Sequence, residues 1–426
     1  MTPVTAKPET LNRSLRLFDA INLGVGSMVG AGIFVVLAPV AALAGAHWWV
    51  AVLLAAITAV ANALAVAALS MKHHSSGGAY LYGNRELGPL PGFIAGWGFI
   101  TGKTASCAAM AYTAGLYIAP QYAVQLGLAA IILVTGINLL GITRTALAAR
   151  LVVIPVLALL VTLAVSALLA PGFQYDDAAS ALASLSVSPW LVFQAAGLMF
   201  FAFAGYARIA TMGEEVRDPG RNIPRAIFGA LGITFVLYAL VWIAAVHRVG
   251  VKALGESEAP LLLVANSLGW PSIIVTVGAA VAALGALLAL VAGISRTALA
   301  MAREQDLPRA FGSISESHQV PWFAQVVVAV VAAILVIFTD PTTIIGFSSF
   351  GVLLYYSVAN ASALKLTGSD RPKFSPAWLN WLGLVLCLAL VATLPLASIV
   401  VMVVIYVVGF GLRWLMHRNP KTHQPA

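Results

Sequence analysis

Long apolar stretches recur along the whole chain, separated by short segments that carry most of the charge. Twelve of these stretches are about 20 residues long or longer. A helix of about 20 residues crosses a hydrocarbon core about 30 Å thick. The pattern therefore predicts twelve transmembrane helices, over residues 17–43, 48–71, 93–118, 122–141, 149–170, 188–213, 225–246, 271–301, 322–339, 342–364, 377–395 and 397–414.

The composition is that of a chain surrounded by lipid rather than by water. The chain of 426 residues is 61% hydrophobic and 9% charged, whereas an average soluble domain is about half apolar and about a quarter charged. A soluble fold would have no place to bury that much apolar surface. The sequence therefore predicts an all-α integral membrane protein.

The basic residues give the expected orientation of the spans. With the N-terminus placed in the cytoplasm, the cytoplasmic segments hold all but four of the 23 Lys and Arg. The outer loops hold only Arg248 and Lys252, while Lys103 and Arg208 lie within spans. By the positive-inside rule, both termini are expected in the cytoplasm of a multi-pass protein of the plasma (inner) membrane. Topology thus explains the net charge of +8, which does not point to a nucleic-acid partner.

Glycine interrupts two of the predicted spans near their middles. The stretch GVGSMVGAGIFVV contains Gly30 and Gly32, and MFFAFAGYARIATMGEEV contains Gly205. Glycine inside a helix costs about 1 kcal/mol relative to alanine. One explanation is close helix packing, since Gly26 and Gly30 have the small-xxx-small spacing. Because the two breaks fall at matching places, we favour a functional break in each helix.

A broken helix exposes backbone groups that can bind a charged ligand. The half-helix that begins after Gly32 offers free N–H groups and the positive end of its dipole, which favour a carboxylate. The half-helix that ends near Phe203 and Ala204 offers free carbonyl groups, which favour an ammonium group. At membrane depth such groups are tolerated where they face protein or a water-filled cavity. The two breaks together predict a site for a zwitterion.

The spans also form a repeat. The first five and the next five follow one another at similar offsets, and a repeat after an odd number of crossings is inverted in the membrane. We predict a first five-helix repeat over residues 15–170, a second, inverted one over 188–366 and two additional helices over 377–417, flanked by tails 1–14 and 418–426. Inverted repeats with broken helices at corresponding positions are typical of secondary transporters.

Four motifs follow one another along the chain: GVGSMVGAGIFVV, SSGGAYLYGNRELGPLPGFIAGW, FAFAGYARIATMGEEVRDPGRNIPRAI, and SRTALAMAREQDLPRAF followed by Val320-Pro321. In this order they resemble the motifs of the amino acid–polyamine–organocation transporter superfamily. The resemblance covers residues 15 to about 415. It implies the architecture of the bacterial leucine transporter, with five plus five inverted helices and two more, and amino-acid transport by alternating access.

The resemblance also implies which residues contact the substrate. The two charged groups of the substrate are expected at six positions: the carboxylate at Gly30, Ala31 and Gly32, and the amino group at Phe203, Ala204 and Gly205. Phe201 falls where the superfamily's arginine–agmatine antiporters carry a gating aromatic residue. A core or lipid-facing phenylalanine is the alternative at that position.

Two departures from the superfamily's pattern bear on coupling and on the substrate. Many proton-coupled members carry a lysine midway along the fifth helix, where this chain has Val156 or its neighbour Pro155. Arginine-type exchangers carry a glutamate just past the sixth-helix break, where this chain has Ala207. No carboxylate near that break is left to hold a second cation, which favours a neutral L-amino acid as substrate.

Lys103 is the strongest candidate for coupling to protons. It lies about ten residues, or roughly 15 Å, from the cytoplasmic end of the third span, and an ionisable residue at that depth is a functional candidate by default. Phe99, Lys103 and Cys107 share one helix face, which by the resemblance lines the substrate path. An amine that meets both solutions in turn can carry a proton. A structural lysine tied to backbone carbonyls is the alternative.

Four charged residues are candidates for a gate at the cytoplasmic mouth. They are Arg208, Glu214, Glu215 and Arg296. Arg208, just past the sixth-helix break, can instead anchor a carboxylate or a carbonyl, or brace the inner half-helix. The other three can equally be solvated charges at helix ends.

The remaining candidate chemistry is sparse. Cys107 and Cys387 lie in apolar segments and predict no disulfide, metal or other cofactor. The adjacent His73 and His74 have no third ligand nearby and are expected to be solvated. With no HExxH motif, paired catalytic carboxylates or nucleotide-binding loop, the chain is not expected to be an enzyme. The leading prediction is a secondary amino-acid transporter. An amino-acid/polyamine exchanger or exporter without proton coupling, or a channel, is the alternative.

Overall fold

The structure is a computed structural model that describes residues 15–30, 32–73, 77–141, 145–172, 187–211 and 215–418. Over these ranges the fold is almost entirely helical and contains no β-strand, apart from an isolated bridge between Leu15 and Val216. The all-α prediction is therefore confirmed for this part of the chain. The predicted terminal tails lie outside the described residues, except for Arg418.

The described residues form these helices, in chain order: α1 (Leu17–Val29), α2 (Gly32–Ala44), α3 (Trp48–Lys72), α4 (Ala79–Glu86), α5 (Pro89–Ile118), α6 (Ala123–Leu139), α7 (Thr145–Leu169), α8 (Pro189–Phe203), α9 (Ala207–Ala210), α10 (Pro219–Val249), α11 (Val251–Glu256), α12 (Pro260–Ser267), α13 (Ser272–Arg303), α14 (Trp322–Phe338), α15 (Pro341–Leu364), α16 (Ala377–Thr393) and α17 (Leu396–Arg418). A 3₁₀ turn, Ala204–Tyr206, joins α8 to α9.

Eight helical runs within the described ranges are long and apolar enough to cross a membrane, and α14 and α16 are shorter apolar helices. The first run, Leu17–Lys72, spans 56 residues. It contains two of the predicted spans, which are separated by a turn at Gly45, where φ is 51°. The 30-residue α5 is less apolar than these, since glycine, serine, threonine and Lys103 interrupt it.

The surface and the interior of the bundle differ in the way expected of a protein in lipid. Large apolar side chains are exposed on its outside, for example Leu169 at 84%, Phe338 at 79% and Ile132 at 74%. Inside, small residues let helices approach closely. A Cβ atom added to Gly102 of α5 would lie 2.9 Å from the Ser348 carbonyl oxygen of α15 and 3.1 Å from the Cα atom of Gly351. The long helix α5 is thereby fixed against α15.

Three short helices lie in segments that the apolar pattern does not predict to be helical. They are α4, α11 and α12. The start of α4 follows Gly77 and Gly78, which both have positive φ angles and which an L-residue would adopt only with strain. Helix α11 packs on α2, where a Cβ atom on Gly255 would lie 2.9 Å from the backbone nitrogen of Ala42. Apolar periodicity over long windows does not detect helices of this length.

Candidate functional site

The first glycine-rich span is broken where the sequence predicted. Helix α1 ends at Val29, and α2 begins at Gly32. Gly30 donates its N–H to the Gly26 carbonyl at 3.0 Å, while Ala31 lies outside the described residues. A Cβ atom on Gly32 would lie 2.7 Å from the Cα atom of Ala202. The start of α2 therefore packs directly on the backbone of α8.

The second break lies against the first. The turn Ala204–Tyr206 ends α8, and a Cβ atom on Gly205 would lie 2.5 Å from the backbone nitrogen of Met28. Only glycine allows the turn to lie this close to the last turn of α1. The breaks at Gly30–Gly32 and at Gly205, far apart in the sequence, thus form one region in the middle of the bundle.

Close packing accounts for part of the glycine pattern in α1. A Cβ atom on Gly26 would meet the Val153 side chain, and one on Gly30 would meet the Ala286 side chain. The packing explanation of the Gly26–Gly30 spacing is thereby confirmed. It does not exclude a functional break, because Gly32 and Gly205 join the two broken spans to each other.

Tyr238 of α10 holds the two broken spans together. Its hydroxyl lies 2.7 Å from the Met28 carbonyl oxygen and 3.1 Å from the Ala202 carbonyl oxygen. Its ring packs edge-on against the Phe203 ring, with centroids 5.2 Å apart. The sequence analysis missed this residue. The only signal was a tyrosine in an otherwise apolar span, whose hydroxyl needs a partner when it is buried.

Lys103 of α5 reaches the second break. Its Nζ atom donates to the Ala204 carbonyl oxygen at 3.1 Å, and the residue is only 5% exposed. No other hydrogen bond of Lys103 is present within the described residues. The side chain therefore contacts one of the carbonyl groups that the sequence analysis assigned to the substrate's amino group.

The other predicted contact residues are buried around this point. Phe201 and Phe203 are 6% and 0% exposed, and Cys107 is 0% exposed. Burial excludes a lipid-facing position for Phe201, whose carbonyl accepts the Ala204 N–H group. Cys107 follows Lys103 by one helical turn. Phe99, which shares that face, packs its ring 5.3 Å from the Tyr355 ring.

A cavity of about 100 Å³ adjoins the first break on the face formed by α1, α7 and α13. Apolar side chains and glycine line almost all of it, including Gly30, Val156 and Ala286. Val156 is buried, whereas its neighbour Pro155 is exposed on the outside of the bundle. Of the two positions that match the superfamily's fifth-helix lysine, Val156 is therefore the one that faces the interior. None of the lining residues carries a charge.

Two of the predicted gate residues, Glu215 and Arg296, lie at the end of the bundle that carries Leu15, Asp306 and Arg413, here called the basic end. Arg296 forms an ion pair with Glu215 at 3.0 Å, and their side chains are 52% and 26% exposed. An ion pair this exposed is worth at most about 1 kcal/mol. Glu214 lies outside the described residues.

Further hydrogen bonds join separate segments near the basic end. Leu15 donates its N–H to the Glu215 carbonyl, and its own carbonyl accepts from Arg217. Arg208 donates through Nη1 to the Ala289 carbonyl of α13, so it does anchor a carbonyl, as one of the sequence alternatives held. The segments before α1 and α10, and the helices α9 and α13, are thus joined at this end.

Two polar clusters at the basic end were not predicted from the sequence. In the first, Asp306 accepts from the Tyr80 hydroxyl at 2.9 Å and pairs with Arg413 at 2.9 Å. Burial raises the pKa of Asp306, although its two partners oppose the effect. Since Tyr80 is on α4 and Arg413 on α17, this carboxylate joins three distant parts of the chain.

The second cluster corrects the expectation for His73. Its Nε2 atom lies 2.7 Å from a carboxylate oxygen of Glu86, and Lys72 contacts the same oxygen at 2.7 Å. His73 is therefore held by Glu86 rather than simply solvated, because α4 folds back onto the end of α3. His74 lies outside the described residues, which contain no group of three potential metal-ligating side chains.

The chain matches the amino acid permease family over residues 15–415. It belongs to that family. The match covers both broken spans and all of the bundle described above except the last three residues of α17. Together with the apolar helices, membership indicates a multi-pass membrane protein and a transporter, as the motifs implied.

Individual relatives agree on the class of protein and differ in the substrates in their names. The chain is 45% identical over 421 residues to an uncharacterized transporter of Mycobacterium tuberculosis, covering 97% of this chain and 94% of the relative. It is 25% identical over 455 residues to the branched-chain amino acid permease BcaP of Bacillus subtilis, covering 97% and 95%. It is 28% identical over 389 residues to the vacuolar cationic amino acid transporter 2 of Arabidopsis thaliana, covering 84% and 60%.

Proposed function

We propose that this permease is a secondary active transporter that binds a neutral L-amino acid between its two broken spans and moves it by alternating access. The observation that carries the proposal is the direct contact between the breaks, where Gly205 lies on the last turn of α1 and Gly32 lies on α8. Free amides at the start of α2 suit a carboxylate, and carbonyls at the end of α8 suit an amino group.

The membrane topology is part of the same proposal. It consists of twelve spans, arranged as five plus five inverted helices and two more, with both termini in the cytoplasm and the protein in the inner membrane. The paired breaks and the excess of basic residues in the predicted cytoplasmic segments support this arrangement. The basic end of the bundle is then the cytoplasmic end, and the Glu215–Arg296 pair is a gate on that side.

The proposed substrate is neutral because the sequence has no acidic residue over 24–36 or 199–210 to pair with a second positive charge. Ala207 stands where the superfamily's arginine-type exchangers carry a glutamate, and the charged side chain that contacts the second break is the cationic Lys103. A basic amino acid would place another cation near that ammonium group. Exchange of amino acids or polyamines, or export without proton coupling, is the second candidate.

Lys103 stays the candidate for proton coupling. Its burial and its contact with the broken end of α8 support a role in the transport cycle. If Lys103 couples, an inward-acid pH gradient stimulates uptake by the wild type, and Lys103→Ala loses that stimulation but keeps exchange. Uptake that ignores the gradient, or a variant that still responds to it, would exclude this role.

The substrate assignment is tested with the purified full-length chain. Thermal unfolding is followed in the presence of each of the twenty amino acids and the common polyamines, and hits are tested for saturable uptake into proteoliposomes. We expect leucine, alanine or similar amino acids to raise the unfolding temperature and to be transported. Binding of arginine, lysine or agmatine alone would contradict the assignment. Uptake that does not saturate would indicate a channel.

A further inference from the structure

The Ala204 carbonyl already has a hydrogen-bond donor from within the protein. Lys103 contacts it at 3.1 Å from the neighbouring helix α5. The proposed function assigns the same carbonyl to the substrate's amino group. Two nitrogen donors of the same kind, one from the protein and one from the substrate, are therefore directed at one oxygen.

The contact with the Ala204 carbonyl stabilises a Lys103 ammonium group that lies in apolar surroundings. The residue is 5% exposed, and the side chains at the neighbouring break, such as Phe203 and Ala204, are apolar and buried. Within the described residues its ammonium group has one hydrogen-bond partner, although it carries three donors. The carbonyl belongs to the negative end of α8, which compensates positive charge.

Two ammonium groups cannot share this position without penalty. Like charges a few ångströms apart repel each other strongly where water is excluded. A substrate that places its amino group on the Ala204 carbonyl therefore has to move the Lys103 ammonium group away from that oxygen, or Lys103 has to lose its proton. A carboxylic acid without an amino group meets no such opposition and leaves the Lys103 contact intact.

We propose that Lys103 competes with the substrate's amino group for the Ala204 carbonyl and thereby sets how strongly the site prefers an amino acid to the corresponding deaminated acid. This inference rests on the proposed function. It makes Lys103 a specificity-determining residue, since the side chain weakens recognition of one of the two charged groups of a zwitterion and not of the other.

The test compares two ligands that differ only in the amino group. They are L-leucine and 4-methylpentanoate, which share the carboxylate and the branched side chain. Dissociation constants of both are measured for the wild-type chain, Lys103→Met and Thr104→Val in lipid nanodiscs. Thr104→Val is the matched control, because among the described residues that hydroxyl bonds within its own helix, to the Ile100 carbonyl at 2.8 Å.

The quantity of interest is the Kd of 4-methylpentanoate divided by that of leucine. We expect this ratio to rise at least tenfold in Lys103→Met and to stay within about threefold of the wild type in Thr104→Val, by the charge repulsion described above. Any contact of Lys103 with the carboxylate affects both ligands and cancels in the ratio. If Lys103→Met does not give monodisperse protein, Lys103→Gln replaces it, with an expected rise of at least threefold.

The outcomes separate this inference from the proposed function. If leucine binds the wild type but the ratio is unchanged or lower without the Lys103 charge, the competition is refuted and the proposed function stands. If leucine binds neither the wild type nor the variants, the proposed function fails for this substrate and the inference fails with it.

Discussion

Gly205→Ala is the smallest change that separates the two broken spans. A single methyl group at this position would place its carbon atom 2.5 Å from the Met28 backbone nitrogen and 2.5 Å from the Ser27 carbonyl oxygen. Both neighbours are backbone atoms, which cannot rotate away as the end of a flexible side chain can. The α8–α9 turn and the last turn of α1 would have to move apart.

The size of the effect follows from the cost of overpacking. Extra atoms in a well-packed interior cost about 1–3 kcal/mol. The cost falls on the arrangement in which the breaks touch, and we propose that this arrangement binds substrate. Since about 1.4 kcal/mol corresponds to a tenfold change in an equilibrium constant, substrate affinity should fall by roughly 5- to 150-fold.

The assay is leucine binding to purified protein, followed by uptake into proteoliposomes. The matched control is Gly232→Ala on α10, where an added Cβ atom would meet nothing within 4 Å. Because glycine in a helix is less stable than alanine by about 0.5–1 kcal/mol, the control should be at least as stable as the wild type. Equal leucine affinity and uptake in the two variants would refute the role given to the contact between the breaks.

Three further predictions test separate parts of the structure. Tyr238→Phe removes a hydroxyl from two buried carbonyls at a cost of about 1–3 kcal/mol, so its apparent Tm should fall; an unchanged Tm would contradict the shared contact. Val156→Leu adds one methylene to the cavity of about 100 Å³ and should raise the free energy of unfolding by about 0.5–1 kcal/mol. The lipid-exposed control Val161→Leu should not give this increase. Burial raises the pKa of Glu86, but Lys72 and a neighbouring imidazole outweigh it and the net shift is downward. The stability from Glu86 is therefore complete above its ordinary pKa of about 4.3 and is lost as pH falls through its lowered pKa. Glu86→Gln should remove this loss of stability at acid pH. A dependence of stability on pH that is the same in the variant as in the wild type would contradict this role of Glu86.

The features that sequence reasoning predicted well are local ones. Apolar stretches long enough for the membrane correspond to helices, and the glycines of GVGSMVGAGIFVV mark the actual break between α1 and α2. Both signals are contained in one window of sequence. Helix ends were less exact: α10 begins at Pro219 rather than 225, because proline at the first turn of a helix is well tolerated.

The features that sequence reasoning missed depend on contacts across the fold. Tyr238 meets Met28 across 210 positions of sequence, and Tyr80 meets Asp306 across 226. Neither pair shows a spacing or a motif that marks it. Lys103 was recognised as unusual because of its depth, but its partner on another span depends on how the helices pack. Polar contacts between distant helices follow from tertiary packing, which hydropathy patterns do not specify.

The most direct measurement is an electron cryomicroscopy structure of the full-length chain in nanodiscs with L-leucine. The zwitterion site predicts the leucine carboxylate within hydrogen-bonding distance of the amides at the start of α2, around Gly32. It predicts the leucine amino group on the Ala204 carbonyl, with the Lys103 ammonium moved off that oxygen. Leucine bound elsewhere, for example in the apolar cavity beside Val156, with neither break in contact with its charged groups, would contradict the proposed mechanism.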